Sequence, residues 1–287
     1  MTELEKSFSN KCILLVGGAG SLGRRMAEEL LKPVYNINSL RTLDINENEL
    51  ARLRWKLKDD SRTRWLLGNI LDKDRMIRAM ENVDIVFMLA AQKHVDLGET
   101  NPFYSLQVNV LGAQTCIEAA INSNVDKYIY TSSDKAVHSC STYGHCKKLS
   151  EALTLDANKY KGDRHTKFSV VRPCNYAQSD GSIWDIWAYQ KSENLPLTVT
   201  DERCTRYFLT FDKIITFILK ATCIMQGGEI FIPQNADKVR IIDLAKTISE
   251  NIKITGLRPG EKLEEVLIDP LELARAEVVD NLWIVKP

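Results

Sequence analysis

The chain has 287 residues, room for one large domain or two modest ones, with 38 Lys plus Arg balanced by 38 Asp plus Glu. Zero net charge argues against nucleic acid as the main ligand, because a phosphate-tracking surface needs a basic excess. No apolar run approaches the ~18 residues that would span a bilayer, and the opening MTELEKSFSN lacks a signal-like hydrophobic stretch. A cytoplasmic protein without membrane partners is therefore expected.

Seven cysteines are scattered without a CxxC and there are only four histidines, so the pattern points to reduced structural thiols and to no metal site.

Lys11–Val16 is an apolar run that ends in glycines and is followed by an amphipathic stretch, Arg24–Leu31, which reads as strand, turn, helix. Further strands are expected at Leu40–Leu43, Trp65–Leu67, Val83–Ala91, Tyr128–Tyr130 and Phe168–Val171, with helices at Phe103–Ser123 and Tyr143–Tyr160 between them. Near-continuous apolar runs suit strands covered on both faces. Repeated βα steps therefore predict an α/β fold, a Rossmann-type doubly wound parallel sheet. After Pro173 the texture turns polar and irregular in QSDGSIWDIW and QKSENLPLTVTDERC, and regularity returns with a helix at Asp212–Met225, a strand at Glu229–Pro233 and a helix at Ile242–Glu250. The expected division is a dinucleotide-binding domain over 1–172 plus about 209–233, with a smaller C-terminal α/β substrate region over 173–208 and 234–287.

Gly17, Gly20 and Gly23, or Gly18, Gly20 and Gly23, follow the first strand and fit GxxGxxG or GxGxxG. Glycines there permit a tight turn and close approach of a pyrophosphate to a helix N-terminus, where Ser21 and Leu22 lie. Asp44 closes the second strand at the spacing where a carboxylate can hold an adenosine ribose. That carboxylate favours NAD, yet Arg24, Arg25 and Arg41 are close in sequence and could serve a 2′-phosphate, so this pattern leaves the choice open.

In Tyr143-Gly-His-Cys-Lys147 the first and last residues share a helix face, and an ammonium near a phenol lowers its pKa toward use as a proton shuttle. Ser132-Ser133-Asp134-Lys135 sits just after the fifth strand, at the sheet edge where open α/β sheets hold ligands.

Together the glycine turn, the post-strand serine and YxxxK resemble the extended short-chain dehydrogenase/reductase family. Within it, TSSDKAV with YGHCKK, AAQKHVDLGETNP with VNVLGA, TRYFLTFDKI, GGEIFIPQNADKVRIIDLA and GLRPGEKLEEVLI resemble the soluble, C5-inverting UDP-N-acetylglucosamine 4,6-dehydratases of the polysaccharide biosynthesis group. The resemblance covers nearly the whole chain. It implies Ser133, Tyr143 and Lys147 as the oxidation site, and Asp134 with Lys135 as the pair that removes water, where retaining relatives carry Asp-Glu. It implies dinucleotide contacts from Gly17, Gly20, Ser21, Leu22, Gly23, Asp44, Asn69, Ile70, Ala90, Tyr143 and Lys147. For the UDP-sugar it implies Lys93, His94, Asn175, Arg206, Arg258 and Glu261, the arginines suiting a diphosphate through paired hydrogen bonds.

The same resemblance implies NADP, with NAD as the alternative, and a homo-oligomer that pairs through the Phe103–Ser123 and Tyr143–Tyr160 stretches. A neutral Lys135 is expected to take the C5 proton, with burial or nearby cations depressing its pKa. Alternatives are a UDP-sugar 4-epimerase, a retaining dehydratase, and a dinucleotide-binding regulatory protein without catalysis.

Overall fold

Runs such as CILLV and IVFM carry no polar face, so they form stable strands only when helices cover the sheet on both sides. The computed structural model describes residues 2–176 and 180–287. In it these runs become β1 (Cys12–Val16), β2 (Ser39–Asp44), β3 (Thr63–Leu67), β4 (Ile85–Met88), β5 (Lys127–Thr131) and β6 (Lys167–Val171). They lie in the order 3-2-1-4-5-6, all parallel, which is the Rossmann-type order with its reversal between β1 and β4. The core residues Ile13, Leu14, Leu15, Val16, Val86 and Phe87 are fully buried.

One helical layer consists of Lys73–Met80, Gly112–Asn122 and Thr142–Tyr160 packed side by side, and another pairs Ser21–Leu30 with Phe211–Ile224. The expected helix over Phe103–Ser123 is interrupted: Pro102–Leu106 leads into a π-helical turn, Gln107–Leu111, before Gly112–Asn122. π-Turns of this kind are common at functional sites, and this one carries the buried Asn109.

The remaining strands are β7 (Asn175–Tyr176), β8 (Leu197–Val199), β9 (Thr205–Leu209), β10 (Ile230–Pro233), β11 (Asp237–Arg240), β12 (Ile252–Ile254), β13 (Ala276–Val279) and β14 (Leu282–Val285). β10 extends the large sheet in parallel beside β6, and β14 and β13 finish it antiparallel. Residues 276–285, expected within the substrate region, therefore complete the large sheet. Two small sheets, β11-β9-β7 and β12-β8, frame a second apolar cluster of Trp187, Leu197, Val199, Cys204, Ile241, Ile242 and Ala245.

The stretch read as irregular is in part a helix, Ile183–Ser192. Its indoles explain the difference. Trp187 is buried against that second cluster and donates from Nε1 to the Thr198 carbonyl at 2.9 Å, so tertiary packing decides the conformation of a segment whose polar content reads as loop. Residues 177–179 of that stretch lie outside the described residues. The helix expected over Ile242–Glu250 spans Ile241–Lys246.

Candidate active site

A cleft of about 920 Å³ runs along the carboxyl ends of the strands, from the glycine turn to the segment 258–265. At Gly17, φ is +80° and a Cβ would fall 2.6 Å from the Ala90 Cα; at Gly23 it would fall 2.5 Å from the Gly18 backbone. Neither of these two positions can carry a side chain without the backbone shifting, and the turn leaves the start of the Ser21–Leu30 helix open to the cleft. Asp44 accepts from Ala19 N and Asn46 N, both at 2.9 Å, which fixes its carboxylate at the end of β2. Asn69, Ile70 and Ala90 line the same end.

Of the three arginines near the turn, only Arg24 lines the cleft. It pairs with Glu49 at 3.1 Å and grips Asp180 with two bonds of 2.8 and 2.7 Å. Arg25 pairs with Glu28, and Arg41 donates to the Ala79 and Glu81 carbonyls. Lys93 donates to the Asp180 carbonyl at 2.5 Å, and Gly181 lies against the His94 ring, so both residues reach the cleft but face the Asp180–Gly181 backbone.

Ser141 caps the Thr142–Tyr160 helix by accepting from Gly144 N at 3.1 Å, which sets the first turn and with it Tyr143. Tyr143 and Lys147 are both buried and line the cleft. Lys147 Nζ donates to the Thr131 carbonyl at 2.8 Å and stands 5.9 Å from the Tyr143 ring centroid. The expected lowering of the Tyr143 pKa is not what the site produces. Burial pushes the phenol well above its usual range, the Ser133 hydrogen bond opposes this, and the Asp134 charge adds to it. Burial acts on the lysine instead, pushing the Lys147 ammonium down to about 7.

Ser133, Asp134 and Lys135 follow β5 directly. Ser133 Oγ donates to Asp134 Oδ1 at 2.9 Å, and Lys135 Nζ donates to the same oxygen at 3.1 Å. Asn175 Nδ2 donates to Asp134 Oδ2 at 3.2 Å and its Oδ1 accepts from Lys135 at 3.4 Å, so Asn175 braces both members of the pair. The expected depression of Lys135 is reversed. Burial works against its charge, but Asp134 and then Glu265 outweigh it and hold the ammonium above its ordinary value, Arg206 opposing them.

Beyond this pair, Glu261 receives Arg206 Nη2 at 3.1 Å, the Thr200 hydroxyl at 3.0 Å and Arg258 Nε at 3.4 Å. Two expected sugar-nucleotide arginines thus converge on one carboxylate. Arg206 is largely spent on protein partners, including the Thr205 and Leu263 carbonyls, while the Arg258 side chain is half exposed.

Three residues of the site were not singled out by sequence. Asn109 clamps Gln92, its Oδ1 accepting from the Gln92 N and its Nδ2 donating to the Gln92 carbonyl, each at 2.9 Å, and so positions the loop bearing Lys93 and His94. Glu265 and Lys262 reach the floor of the cleft beside Lys135. Asn109 lies in VNVLGA and the other two in RPGEKLEE; a polar side chain inside an apolar helical stretch was the available signal for the first.

The parallel sheet in this order, the glycine turn and a buried Tyr-Lys pair define an enzyme of the extended short-chain dehydrogenase/reductase class. The chain belongs to the polysaccharide biosynthesis protein family, which it matches over residues 13–287. It is 40% identical to the uncharacterized membrane protein MJ1061 of Methanocaldococcus jannaschii, over 99% of this chain and 88% of that one. It is 34% identical to a UDP-N-acetylglucosamine 4,6-dehydratase (inverting) of Campylobacter jejuni, over 98% and 84% respectively. The X-ray structure of Pen from Bacillus thuringiensis superposes with a TM-score of 0.92 at 32% identity, covering 97% and 90% of the two chains. DesIV, a dTDP-glucose 4,6-dehydratase from Streptomyces venezuelae solved with NAD and TYD, shares the fold at 21% identity, with a TM-score of 0.80 and coverage of 89% and 88%. Among the described residues no helix is long and apolar enough to cross a membrane.

Proposed function

We propose that the chain is a UDP-N-acetylglucosamine 4,6-dehydratase that inverts C5. The observation that carries this reading is the Ser133–Asp134–Lys135 cluster, three side chains joined through Asp134 Oδ1 on the floor of the cleft. An epimerase needs only the tyrosine half of such a site; an acid and a base side by side are what loss of water from C5 and C6 requires.

A nicotinamide dinucleotide fits the glycine cradle, and when bound it supplies the acceptor for the C4 hydrogen and the donor that completes C6. Gly17, Gly20, Ser21, Leu22, Gly23, Asp44, Asn69, Ile70 and Ala90 would hold it. Tyr143, oriented through Ser133, takes the proton of the C4 hydroxyl, and the positive ring of an oxidised nicotinamide would offset the burial that raises its phenol in the protein alone. The ketone acidifies the C5 hydrogen; the Lys135 ammonium first passes a proton to Asp134 across their 3.1 Å bond, the amine so freed takes the C5 proton, and Asp134 gives the proton it received to the C6 oxygen as water leaves. Lys93 and His94 border the sugar, and Arg258, steered by Glu261, faces the diphosphate.

For the dinucleotide the family resemblance argues for NADP, but this chain's own geometry supports NAD. Asp44 and Glu49 both border the adenosine end, and the only arginine there among the described residues, Arg24, is already paired with two carboxylates. A 2′-phosphate would meet two negative charges and no free cation. Denaturing the purified protein and identifying the released dinucleotide checks this: NADP would contradict it.

The activity test is incubation with UDP-N-acetylglucosamine and mass analysis. Loss of one water is expected. Isomerisation at constant mass would make the chain an epimerase, and an unchanged substrate would remove the dehydratase assignment.

A further inference from the structure

Two carboxylates face Lys135, and the dehydratase reading gives work to only one of them. Glu265 is buried, and its Oε1 lies 3.9 Å from Lys135 Nζ. Its Oε2 lies 2.7 Å from Lys262 Nζ, which also donates to the Val137 carbonyl at 2.8 Å. A buried carboxylate without a counter-charge is costly, so the placement of Glu265 between two ammonium groups is a built arrangement rather than a stray surface pair.

The charges change during the proposed reaction. The Lys135 ammonium first passes a proton to Asp134 Oδ1 across their 3.1 Å bond; the lone pair so freed on Nζ then takes the C5 proton, and the C5–H electron pair passes into the enolate. Asp134 then gives its proton to the C6 oxygen, the C6–O bond breaks, water leaves and C5 and C6 are joined by a double bond. While Asp134 still holds that proton it is neutral, and Lys135 becomes positive on the half-buried floor of the cleft. We propose that Glu265 is the standing counter-ion of Lys135, the carboxylate that stabilises the ammonium formed at the C5 step while Asp134 is occupied as the acid. Glu265 is thus a positioning and electrostatic residue that acts through Lys135, with Lys262 dividing its charge. This inference rests on the dehydratase reading for its chemistry.

The groups facing Lys135 are Asp134 from its own loop, Asn175 from β7, Arg206 from β9, Cys174, and Glu265 from the C-terminal segment, which Lys262 pairs on its other oxygen. Burial opposes the charge on Lys135 and the two carboxylates restore it, Asp134 first. Because Glu265 is one of those two, its removal has a readout separate from turnover.

The test is a pH titration by NMR of the holoenzyme carrying 13C at the lysine ε-carbon, with the Lys135 signal identified by its loss in Lys135→Arg. In Glu265→Gln the Lys135 midpoint moves to lower pH, and the acid limb of kcat follows it while KM changes less than about threefold. In Lys262→Met, which frees Glu265 for Lys135 alone, the midpoint moves to higher pH. Glu264→Gln, an exposed neighbour, leaves it in place. A Lys135 midpoint unmoved in both the Glu265 and Lys262 variants overturns the assignment. Should UDP-N-acetylglucosamine lose no water with the unmodified enzyme, the dehydratase reading falls, and the titration still reports whether the ion pair exists.

Discussion

Lys147 Nζ donates to the main-chain carbonyl of Thr131, at 2.8 Å, the last residue of β5 and two before Ser133. The bond ties the Tyr-Lys helix to the strand end that carries Ser133, Asp134 and Lys135, so the two halves of the site share one rigid support. Its partner is a neutral oxygen, and the lysine is 3% exposed. Burial therefore dominates, with the Glu151 charge opposing it, and the ammonium is pushed down to about 7 from 10.5.

That depression has a defined effect on the stability of the protein without cofactor. Above about pH 7 the folded lysine is neutral while the unfolded one keeps its proton until about 10.5, so the unfolded state binds more protons and stability rises with pH across this window. Below it both forms are charged and the penalty is carried in full; above it neither is. Urea unfolding at a series of pH values should show this rise in the unmodified chain and a flatter profile in Lys147→Met. Parallel profiles would show that the lysine is solvated.

Tyr143→Phe should nearly abolish turnover of the nucleotide sugar and leave UDP affinity unchanged. The ring lies in packed surroundings that phenylalanine can fill, and only the phenol oxygen, bonded toward Ser133, can move the C4 proton. Turnover comparing parent and variant, with calorimetry on UDP, checks both halves. A folded variant with near-normal activity would remove Tyr143 from the chemistry.

Arg258 and Arg206 should separate in a binding experiment, although both converge on Glu261. A charge-assisted hydrogen bond is worth roughly 1.5–3 kcal/mol, and partial exposure of Arg258 puts it at the lower end, so Arg258→Ala should weaken UDP by about tenfold with little change in thermal stability. Arg206→Ala should lower the melting temperature as well, since it removes the donor that ties together the Thr205 and Leu263 carbonyls and Glu261. Calorimetry and thermal unfolding on the pair of variants decide it; equal affinity in Arg258→Ala would place that arginine outside the nucleotide site.

The parallel sheet, the glycine turn and the Tyr-Lys helix are legible because their signals are local: apolar runs, fixed glycine spacing, a four-residue helical repeat. Glu265 and Lys262 are not, because nothing in RPGEKLEE says which carboxylate turns inward. The charge states at Lys135 and Tyr143 also escaped sequence reasoning. Both depend on burial, which no local pattern reveals, and Lys135 also on Glu265, brought from 130 residues further along the chain to add to its neighbour Asp134.

Arg172 is the clearest case of such a long-range device. Fully buried at the end of β6, it binds Glu151 of the Tyr-Lys helix at 2.8 Å and Glu272 of the Pro270–Leu273 helix at 2.6 Å. Burial resists ionisation of Glu272, but the Arg172 hydrogen bonds and charge outweigh it and hold the carboxyl down at about 2. A folded pKa below the unfolded one adds stability that is present above about 4.5 and is lost as the pH falls toward about 2. Glu272→Ala leaves Arg172 short of a partner inside the protein and should cost ~3–5 kcal/mol, as breaking buried pairs does. Urea unfolding near neutral pH measures it, and the cost should shrink progressively in acid. A loss below ~1 kcal/mol would mean that Glu151 alone suffices.

The last prediction concerns the face of C5 from which the proton returns. Lys135 stands against Asp134 and Asn175 at the sheet end, and once it has taken the C5 proton its ammonium is the proton-bearing group of the cluster from which that proton can return. Once water has left, C5 is planar and no longer remembers its configuration, so the product is set by which side the next proton reaches. In the resembled dehydratases a lysine at this position accompanies inversion, and a glutamate accompanies retention. Turnover of UDP-N-acetylglucosamine in D2O should therefore give UDP-2-acetamido-2,6-dideoxy-β-L-arabino-hexos-4-ulose with deuterium at C5, read by proton NMR of the fresh product through its ring couplings. Lys135→Met should form no deuterated 4-keto-6-deoxy sugar. A product that keeps the D-xylo ring from the earliest time point would leave Lys135 as an electrostatic aid to Asp134 and move proton delivery to another group in the cleft.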